Sequence, residues 1–411
     1  MLKLRFAVVG TGNAAKLHVE ALLSCGQELV AVCNHNIEKA MFFLSNLSGR
    51  ENVALAELGT TVFSDVNEML DKVKIDVLYV TTPHLTHVDV ACMAVRRGIH
   101  CIIEKPLDIS LAKAQYLQEE SERTGAIVSV ISQSRFLKPT ERIKNAIEDG
   151  KIGTPAFGIV SVLAWRDEAY YRSNLWRGTW EDEGGGVLVN QSVHELDLLC
   201  YFLGEVESVY GIWRNINHPY IEVDDTAMGI VTFKSGATAT ILVSNSVNPA
   251  QNVFVRVVGS NGNTLGIRTH GGVEQDAGTK PSVYRPFNDV FSLVDDETLE
   301  EYREHDYDGI SEQQWPYHFF AEQVKEMVHA IASKKAGLKV HLRNSVASAQ
   351  GCMLIFQGIY LSQKLGRPVT RKEIIDYSMT QLAAENNKAS ASCCDAKKEQ
   401  AEAPQDSTET K

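Results

Sequence analysis

The chain has 411 residues, 44% of them hydrophobic, and a formal net charge of −12. That length allows two or three domains with real cores, and the acidic balance opposes nucleic-acid binding, which wants a basic face. No apolar run approaches the length of a membrane span, so neither nucleic acid nor membrane is an expected partner. The start at Met1 runs almost at once into a strand-type segment and leaves no room for a secretory signal. Eight cysteines lack paired metal spacing and fall mostly in apolar segments. Reduced, buried thiols in a cytoplasmic protein are the expectation.

Residues 6–9 form a short apolar run, followed by Gly10-Thr11-Gly12-Asn13-Ala14-Ala15 and then a helical pattern over 16–24 carrying Leu17, Val19, Leu22 and Leu23. Strand, glycine turn and helix in that order give a G-x-G-x-x-[GA] motif its dinucleotide-binding context. Gly10 permits the tight turn, Gly12 lets a pyrophosphate approach the backbone, and Ala15 keeps helix close to strand. The phosphates then sit on free N–H groups at the helix N-terminus. Gly10, Thr11, Gly12, Asn13 and Ala14 are therefore candidate cofactor-binding residues.

The second strand, 29–33, ends at Asn34, where an acid would read the adenosine ribose. An amide does not repel a 2′-phosphate, yet no arginine stands beside it to demand one. Lys39 is within reach of a phosphate or is a solvated helix position. Both NAD and NADP stay open.

Alternating strand and helix patterns continue to about residue 135. A strand over 77–80 ends in Thr81-Thr82-Pro83, which belongs to a ligand-facing loop of an open parallel sheet. A helix over 86–97 closes at Gly98, and a strand over 100–103 runs into Glu104-Lys105-Pro106. Ser110 caps a helix over 111–124 closed by Gly125, and 127–131 is the next strand. A helix over 140–149 introduces a second unit of different texture. Strands at 156–163, 206–213, 227–233, 237–243 and 253–258 predict a largely antiparallel sheet. Amphipathic helices follow over 318–333 and 345–365. Beyond Tyr377 there is no aromatic residue, so the tail should be disordered. The expected division is 1–135, 136–378 and a tail of 379–411, in which Cys393 and Cys394 are read as inert.

The chemistry concentrates at Lys105 and in the segment from Gly184-Gly185-Gly186 to His194. A lysine at the carboxyl end of a strand can fix and polarise a hydroxyl. A neutral imidazole can accept its proton while hydride leaves the same carbon. Asn190 precedes His194 by four residues, so a helix would project both from one face. Lys105, Asn190 and His194 are the candidate catalytic and substrate-binding residues. Glu104 reads as a structural partner of the cofactor region and Asp197 as a helix-stabilising acid. His84 and His87 lack a third ligand, so no metal is expected. His87 reads instead as a wall of the nicotinamide pocket, beside Thr82 and Pro83. Arg172 and Trp176, from an aromatic and arginine-rich stretch over 165–180, are candidates for holding a sugar; the alternative is a loop packed on its own domain. Glu181, Asp182 and Glu183 read as a solvated turn, and Asp224 and Asp225 as a strand end.

In these motifs the chain resembles the Gfo/Idh/MocA family of glucose–fructose oxidoreductases, inositol dehydrogenases and rhizopine-catabolism proteins. Residues 10–15 with His18, 81–87, 104–106, 184–197 and 222–226 carry the resemblance, which extends from about residue 4 to 369. It implies an α/β protein: an N-terminal Rossmann dinucleotide-binding domain and a C-terminal α/β domain with a large, mostly antiparallel open sheet that often serves oligomerisation. A homo-oligomer, dimer or tetramer, is expected. The resemblance also implies an NAD(P) cofactor and catalysis by Lys105 and His194. The family's commonest third member is an aspartate, replaced here by Asn190. An amide donates and accepts where a carboxylate only accepts, so the change bears on recognition of a substrate hydroxyl. The expected function is an NAD(P)-dependent dehydrogenase for a secondary hydroxyl of a sugar, glycoside, nucleotide-sugar or cyclitol. Alternatives are a glycosidase working by transient NAD-dependent oxidation and elimination, and a non-catalytic NAD(P)-binding sugar sensor. A sensor has no need to keep the lysine and histidine together.

Overall fold

The computed structural model describes residues 2–47, 59–251, 253–269, 288–292 and 317–401, with backbone alone for 268–269, 288–292 and 388–401. The first sheet contains β1 (Arg5–Val9), β2 (Glu28–Cys33), β3 (Thr61–Phe63), β4 (Val77–Val80), β5 (His100–Ile103) and β6 (Val128–Val130), all parallel, in the order β3-β2-β1-β4-β5-β6. Phe6, Ala7, Val8 and Val9 are all buried because helices cover both faces, which is why β1 reads as a continuous apolar run. Phe6 and Val8 pack with α1 (Asn13–Ser24) and α2 (Ile37–Leu47). Ala7 and Val9 turn the other way, toward α3 (Val66–Lys72), α4 (His87–Val95) and α5 (Leu111–Thr124). The strand order reverses between β1 and β4, so a crevice opens beyond their carboxyl ends. The Gly10 turn and Thr81–Thr82 lie there, with Glu104–Lys105 on the adjacent β5 end.

A helix far along the chain completes the first layer. His318–Lys335 packs Val324, Met327, Val328 and Ile331 into the same core as α1. Fully burying each such side chain stabilises by roughly 1.5–3 kcal/mol.

After α6 (Lys138–Glu148), the second sheet holds β7 (Pro155–Leu163), β8 (Val206–Arg214), β9 (Thr226–Phe233), β10 (Thr238–Ser244), β11 (Val253–Gly259), β12 (Thr264–Thr269), β13 (Asn288–Ser292) and β14 (Val369–Thr370). Its order is β13-β12-β11-β7-β10-β9-β8-β14, with β7 and β10 parallel and the other pairs antiparallel. The five predicted strands are present, and three more extend the edges. Between β7 and β8 lie the short helix α7 (Glu168–Arg172) and α8 (Val193–Leu203). One face packs Val160, Val162, Val209, Val231, Ile241 and Val255 into the core shared with α8 and the helix Val346–Leu365. The alternate residues Tyr210, Ile212, Met228, Ile230 and Leu242 are exposed on the other face.

One helix runs Arg371–Ala401 into the tail, of which 402–411 lie outside the described residues. Lack of aromatics speaks to burial, whereas local backbone preference follows the Ala, Lys, Glu and Gln that fill this stretch, all good helix formers. The side chains of Cys393 and Cys394 lie outside those described.

Candidate active site

The cofactor cradle follows from backbone geometry. Gly10 has φ 94°, and a Cβ there would lie 2.5 Å from the Thr81 carbonyl oxygen, so only glycine allows β1 and β4 to approach this closely. A Cβ at Gly12, by contrast, would meet nothing within 4 Å, which leaves open space above the start of α1. Among the described residues no side chain caps that helix, and its first turn, from Asn13 and Ala14, carries no acid. Its N–H groups are thus available to an anion. Among the described residues, Thr82 Oγ1 and Gln133 Oε1 are buried without a hydrogen-bond partner. An open cradle at a helix N-terminus, with the orphaned Thr82 hydroxyl beside the Gly10 turn, fits a dinucleotide.

At the end of β2, Asn34 donates from Nδ2 to Thr11 Oγ1 at 2.7 Å and accepts from the Asn36 N–H at 2.9 Å. An aspartate could keep both contacts, with the Thr11 hydroxyl donating instead. Asn34→Asp should therefore fold normally and shift preference toward NAD over NADP, since a carboxylate repels the 2′-phosphate. The ratio of dissociation constants for the two cofactors reads this; an unchanged ratio would remove Asn34 from the ribose site.

Glu104 and Lys105 stand on the β5 end. His18 Nε2 donates to Glu104 Oε1 at 2.7 Å, and Glu104 Oε2 accepts from the Lys105 N–H at 2.9 Å. Burial pushes the Glu104 carboxyl up, but the bond from His18 and the charge of Lys105 outweigh it and bring it down to about 2. Glu104 is thus an ionised anchor, and His18, buried in α1, ties the cofactor helix to the lysine loop. Burial pulls the Lys105 ammonium below its ordinary value, with Glu104 opposing. His87 stands between the loops after β4 and β5. Its ring is fully buried, with Nδ1 2.8 Å from the Pro106 carbonyl and Nε2 2.7 Å from the Thr82 carbonyl. It braces the β4 loop against the β5 loop.

The segment from Gly184 does not form one helix. Val187–Gln191 is a π-helical turn, Ser192 breaks the path, and α8 begins at Val193. A Cβ at Gly186 would overlap the Asp224 carbonyl oxygen, so the turn packs directly on that backbone. The Asp224 carboxylate accepts from the Gly186 and Leu188 N–H groups at 2.7 and 3.0 Å and from the Tyr360 hydroxyl at 2.7 Å. Asp225 accepts from the Ile216 and Asn217 N–H groups and pairs with His218. Both acids are buried braces just before β9.

This arrangement brings the candidate residues together by a different route. Lys105 Nζ donates to the Asn190 carbonyl oxygen at 3.2 Å, and Lys105 and His194 both border a small, water-sized internal cavity that reaches Ser132 and Asp197. The Asn190 amide instead donates to Glu183 Oε1 at 2.5 Å. Glu183, expected in a solvated turn, is 1% exposed, whereas Glu181 and Asp182 are exposed. Its second oxygen accepts from the Gly178 N–H at 2.6 Å. Asp197 also departs from expectation. It does not serve its own helix but forms a buried two-pronged ion pair with Arg135, at 2.7 and 2.6 Å, and accepts from Ser132 Oγ. Burial lowers the His194 pKa to about 4, and the Lys105 charge adds to the shift, so the imidazole is neutral at physiological pH. Gln133 Nε2 lies 3.4 Å from His194 Nε2.

The aromatic stretch divides. Arg172 is on the outside, paired with Glu168 one turn earlier, its side chain 72% exposed, and it does not join the Lys105 group. Trp176 meets His84 edge-on, with ring centroids 5.4 Å apart. Arg177, not singled out in the sequence, stacks on Tyr170 at 4.3 Å, and the Tyr170 hydroxyl accepts from Arg177 and Gln191. Nothing in local sequence distinguishes Arg177 from Arg172 or Glu183 from Glu181; only the packed turn does.

Comparison with known proteins decides the family. Residues 4–132 match the oxidoreductase family's NAD-binding Rossmann fold, and residues 140–264 match the GFO/IDH/MocA C-terminal domain. The chain belongs to the Gfo/Idh/MocA oxidoreductase family. This Gfo/Idh/MocA chain is 28% identical over 277 residues to the scyllo-inositol 2-dehydrogenase (NAD(+)) of Bacillus subtilis, covering 63% of this chain and 72% of that one. It is 25% identical over 276 residues to the D-glucoside 3-dehydrogenase of Escherichia coli K12, covering 62% and 74%. Its fold superposes on the WlbA dehydrogenase of Bordetella pertussis, solved with NADH and UDP-GlcNAcA, with TM-score 0.69, 23% identity, and 90% and 99% coverage. As a member of this family the protein is an NAD(P)-dependent oxidoreductase. No helix among the described residues is long and apolar enough to cross a membrane.

Proposed function

We propose that this protein oxidises a secondary hydroxyl of a sugar, glycoside, nucleotide-sugar or cyclitol, with Lys105 and His194 performing the acid–base work. The observation that carries the reading is that Lys105 Nζ, held on the Asn190 carbonyl oxygen at 3.2 Å, stands near enough to a neutral His194 for its charge to depress that imidazole. In this scheme Lys105 Nζ donates to the substrate hydroxyl oxygen and holds it as negative charge develops. His194 accepts the hydroxyl proton, and in the reverse direction its imidazolium returns it. Bound nicotinamide supplies the hydride acceptor. Glu104, ionised and fixed by His18, holds the Lys105 main chain in register with the cradle around Gly10, Gly12, Thr82 and Pro83. The inositol and glucoside dehydrogenases among its relatives support a polyhydroxylated substrate. A panel of cyclitols, free sugars, glycosides and nucleotide-sugars, each with NAD and NADP, tests the reading at the nicotinamide absorbance. Reduction with at least one class is expected. No reduction with any, despite cofactor binding, would defeat it.

The exposed face of the second sheet supports assembly of like subunits. Tyr210 pairs with Ile230, and Met228 pairs with both Ile212 and Leu242, giving a continuous apolar patch across β8, β9 and β10. The wild-type protein should sediment as a dimer or tetramer. Ile230→Glu should shift it to a smaller species, because an unpaired charge in a buried interface is costly. A wild-type monomer, or a variant with unchanged mass, would refute this.

A further inference from the structure

Asn190 presents two chemically opposite ends of nearly the same shape, so its effect on a substrate depends on which end faces out. Its nitrogen is committed inward: Nδ2 lies 2.5 Å from Glu183 Oε1 and 3.5 Å from the Tyr170 hydroxyl. Its carbonyl oxygen on the main chain holds Lys105 Nζ at 3.2 Å, which fixes the residue beside that amine. Oδ1 has no hydrogen bond among the described residues and is not among the buried unpartnered atoms. An ionised carboxylate only accepts, so Glu183 tolerates nitrogen against it and repels oxygen. Glu183 is itself held by the Gly178 N–H at 2.6 Å and is 1% exposed, so it cannot swing away to water.

We infer that Glu183 is a positioning residue that locks Asn190 with its amide nitrogen inward, leaving Oδ1 as an acceptor for a donating hydroxyl on the substrate carbon next to the one oxidised. This rests on the dehydrogenase reading of the same site. The device selects substrates with a vicinal hydroxyl over their deoxy or O-methyl counterparts, which have no proton to donate there.

The lock depends on Glu183 being ionised. Burial raises its pKa to about 7, opposed by the Gly178 N–H, the Asn190 amide and the Arg177 guanidinium, while the buried carboxylate of Asp224 pushes it further up. Lys105 faces it from the β5 end and Tyr360 from the helix Val346–Leu365. Below about pH 7 a protonated Glu183 can donate to Oδ1, and the amide is free to turn over.

The test combines kinetics with a readout independent of turnover. In wild type, KM should fall as pH rises through about 7. Glu183→Gln should flatten that profile and raise KM about tenfold, the scale of one hydrogen bond, with the larger part of the loss in KM. Glu183→Gln combined with Asn190→Asp swaps the two groups, and the glutamine amide then donates to a carboxylate that still presents an acceptor. The swap should recover most of the lost affinity, whereas Asn190→Asp alone sets two carboxylates together and should not. The side-chain amide resonances of Asn190, assigned by its loss in Asn190→Asp, should titrate near pH 7 in wild type. A wild type that turns over while Glu183→Gln keeps its KM and pH profile would overturn the inference. So would Asn190 resonances that do not move near pH 7, even in a protein that oxidises none of the panel. Failure of the whole panel alone would strike the dehydrogenase reading instead.

Discussion

Lys105→Ala and His194→Ala should each lower turnover by about two or more orders of magnitude, the usual scale for a positioned acid–base group. Lys105 places its charge beside the Asn190 carbonyl and close to His194, so its loss leaves the developing alkoxide without that donor. Loss of His194 leaves the hydroxyl proton with no acceptor. The two act on one oxygen, so the double variant should be little worse than either single one. Cofactor affinity should survive in His194→Ala, because α8 is separate from the Gly10–Ala15 cradle. The pH dependence carries a sign. Oxidation needs neutral imidazole, and burial brings the His194 pKa to about 4, so this requirement is lost only as pH falls through about 4 rather than through the ordinary histidine value. The same depressed value contributes to folding: stability is fully present above about 6.5 and lost as pH falls toward 4. Initial rates in a short assay, set beside a thermal melt at each pH, separate the two. A His194→Ala enzyme at near wild-type rate would mean the base is elsewhere.

Arg135→Met should destabilise the fold by about 3–5 kcal/mol, the usual cost of stranding one member of a buried ion pair. Arg135 is 2% and Asp197 4% exposed, and their two-pronged contact is reinforced by Ser132 and by the Arg343 carbonyl oxygen. Methionine fills much of the space yet leaves the Asp197 carboxylate charged, with only Ser132 for company. Pairing it with Asp197→Leu removes the stranded charge and should recover most of the loss. Urea melts of the two single variants and the double one measure this directly. If Arg135→Met alone costs less than about 1 kcal/mol, the buried pair does not have the strength that this geometry implies. The effect reaches the site as well, because Asp197 is on α8 one turn after His194.

The parts of this site legible in the sequence are those whose physics is local. The cofactor cradle could be read because strand, glycine turn and helix are contiguous, and Gly10 meets a requirement stated by its own neighbours. Glu104 could be read as a structural partner, since strand-end acids seek a base or backbone, though its partner His18 lies 86 positions away. Glu183 could not. Flanked by Glu181 and Asp182 it looks solvated, and only the return of the chain onto Gly178 and Asn190 buries it. The spacing of Asn190 and His194 suggested one helical face, but the Asp224 carboxylate draws the Gly186 and Leu188 N–H groups into a wider turn. Their closeness to Lys105 survives because the turn, not the helix, carries Asn190.

The most direct test follows the hydrogen itself. A substrate from the panel, deuterated at the carbon bearing the oxidised hydroxyl, should pass its deuterium to nicotinamide in a ratio of about one per ketone formed, as direct hydride transfer between two held carbons requires. Mass spectrometry of the reduced cofactor reads the transfer. Deuterium in the reduced nicotinamide, at a rate that collapses in Lys105→Ala, is the expected result. Deuterium lost to water, or aglycone released without net cofactor reduction, would contradict it.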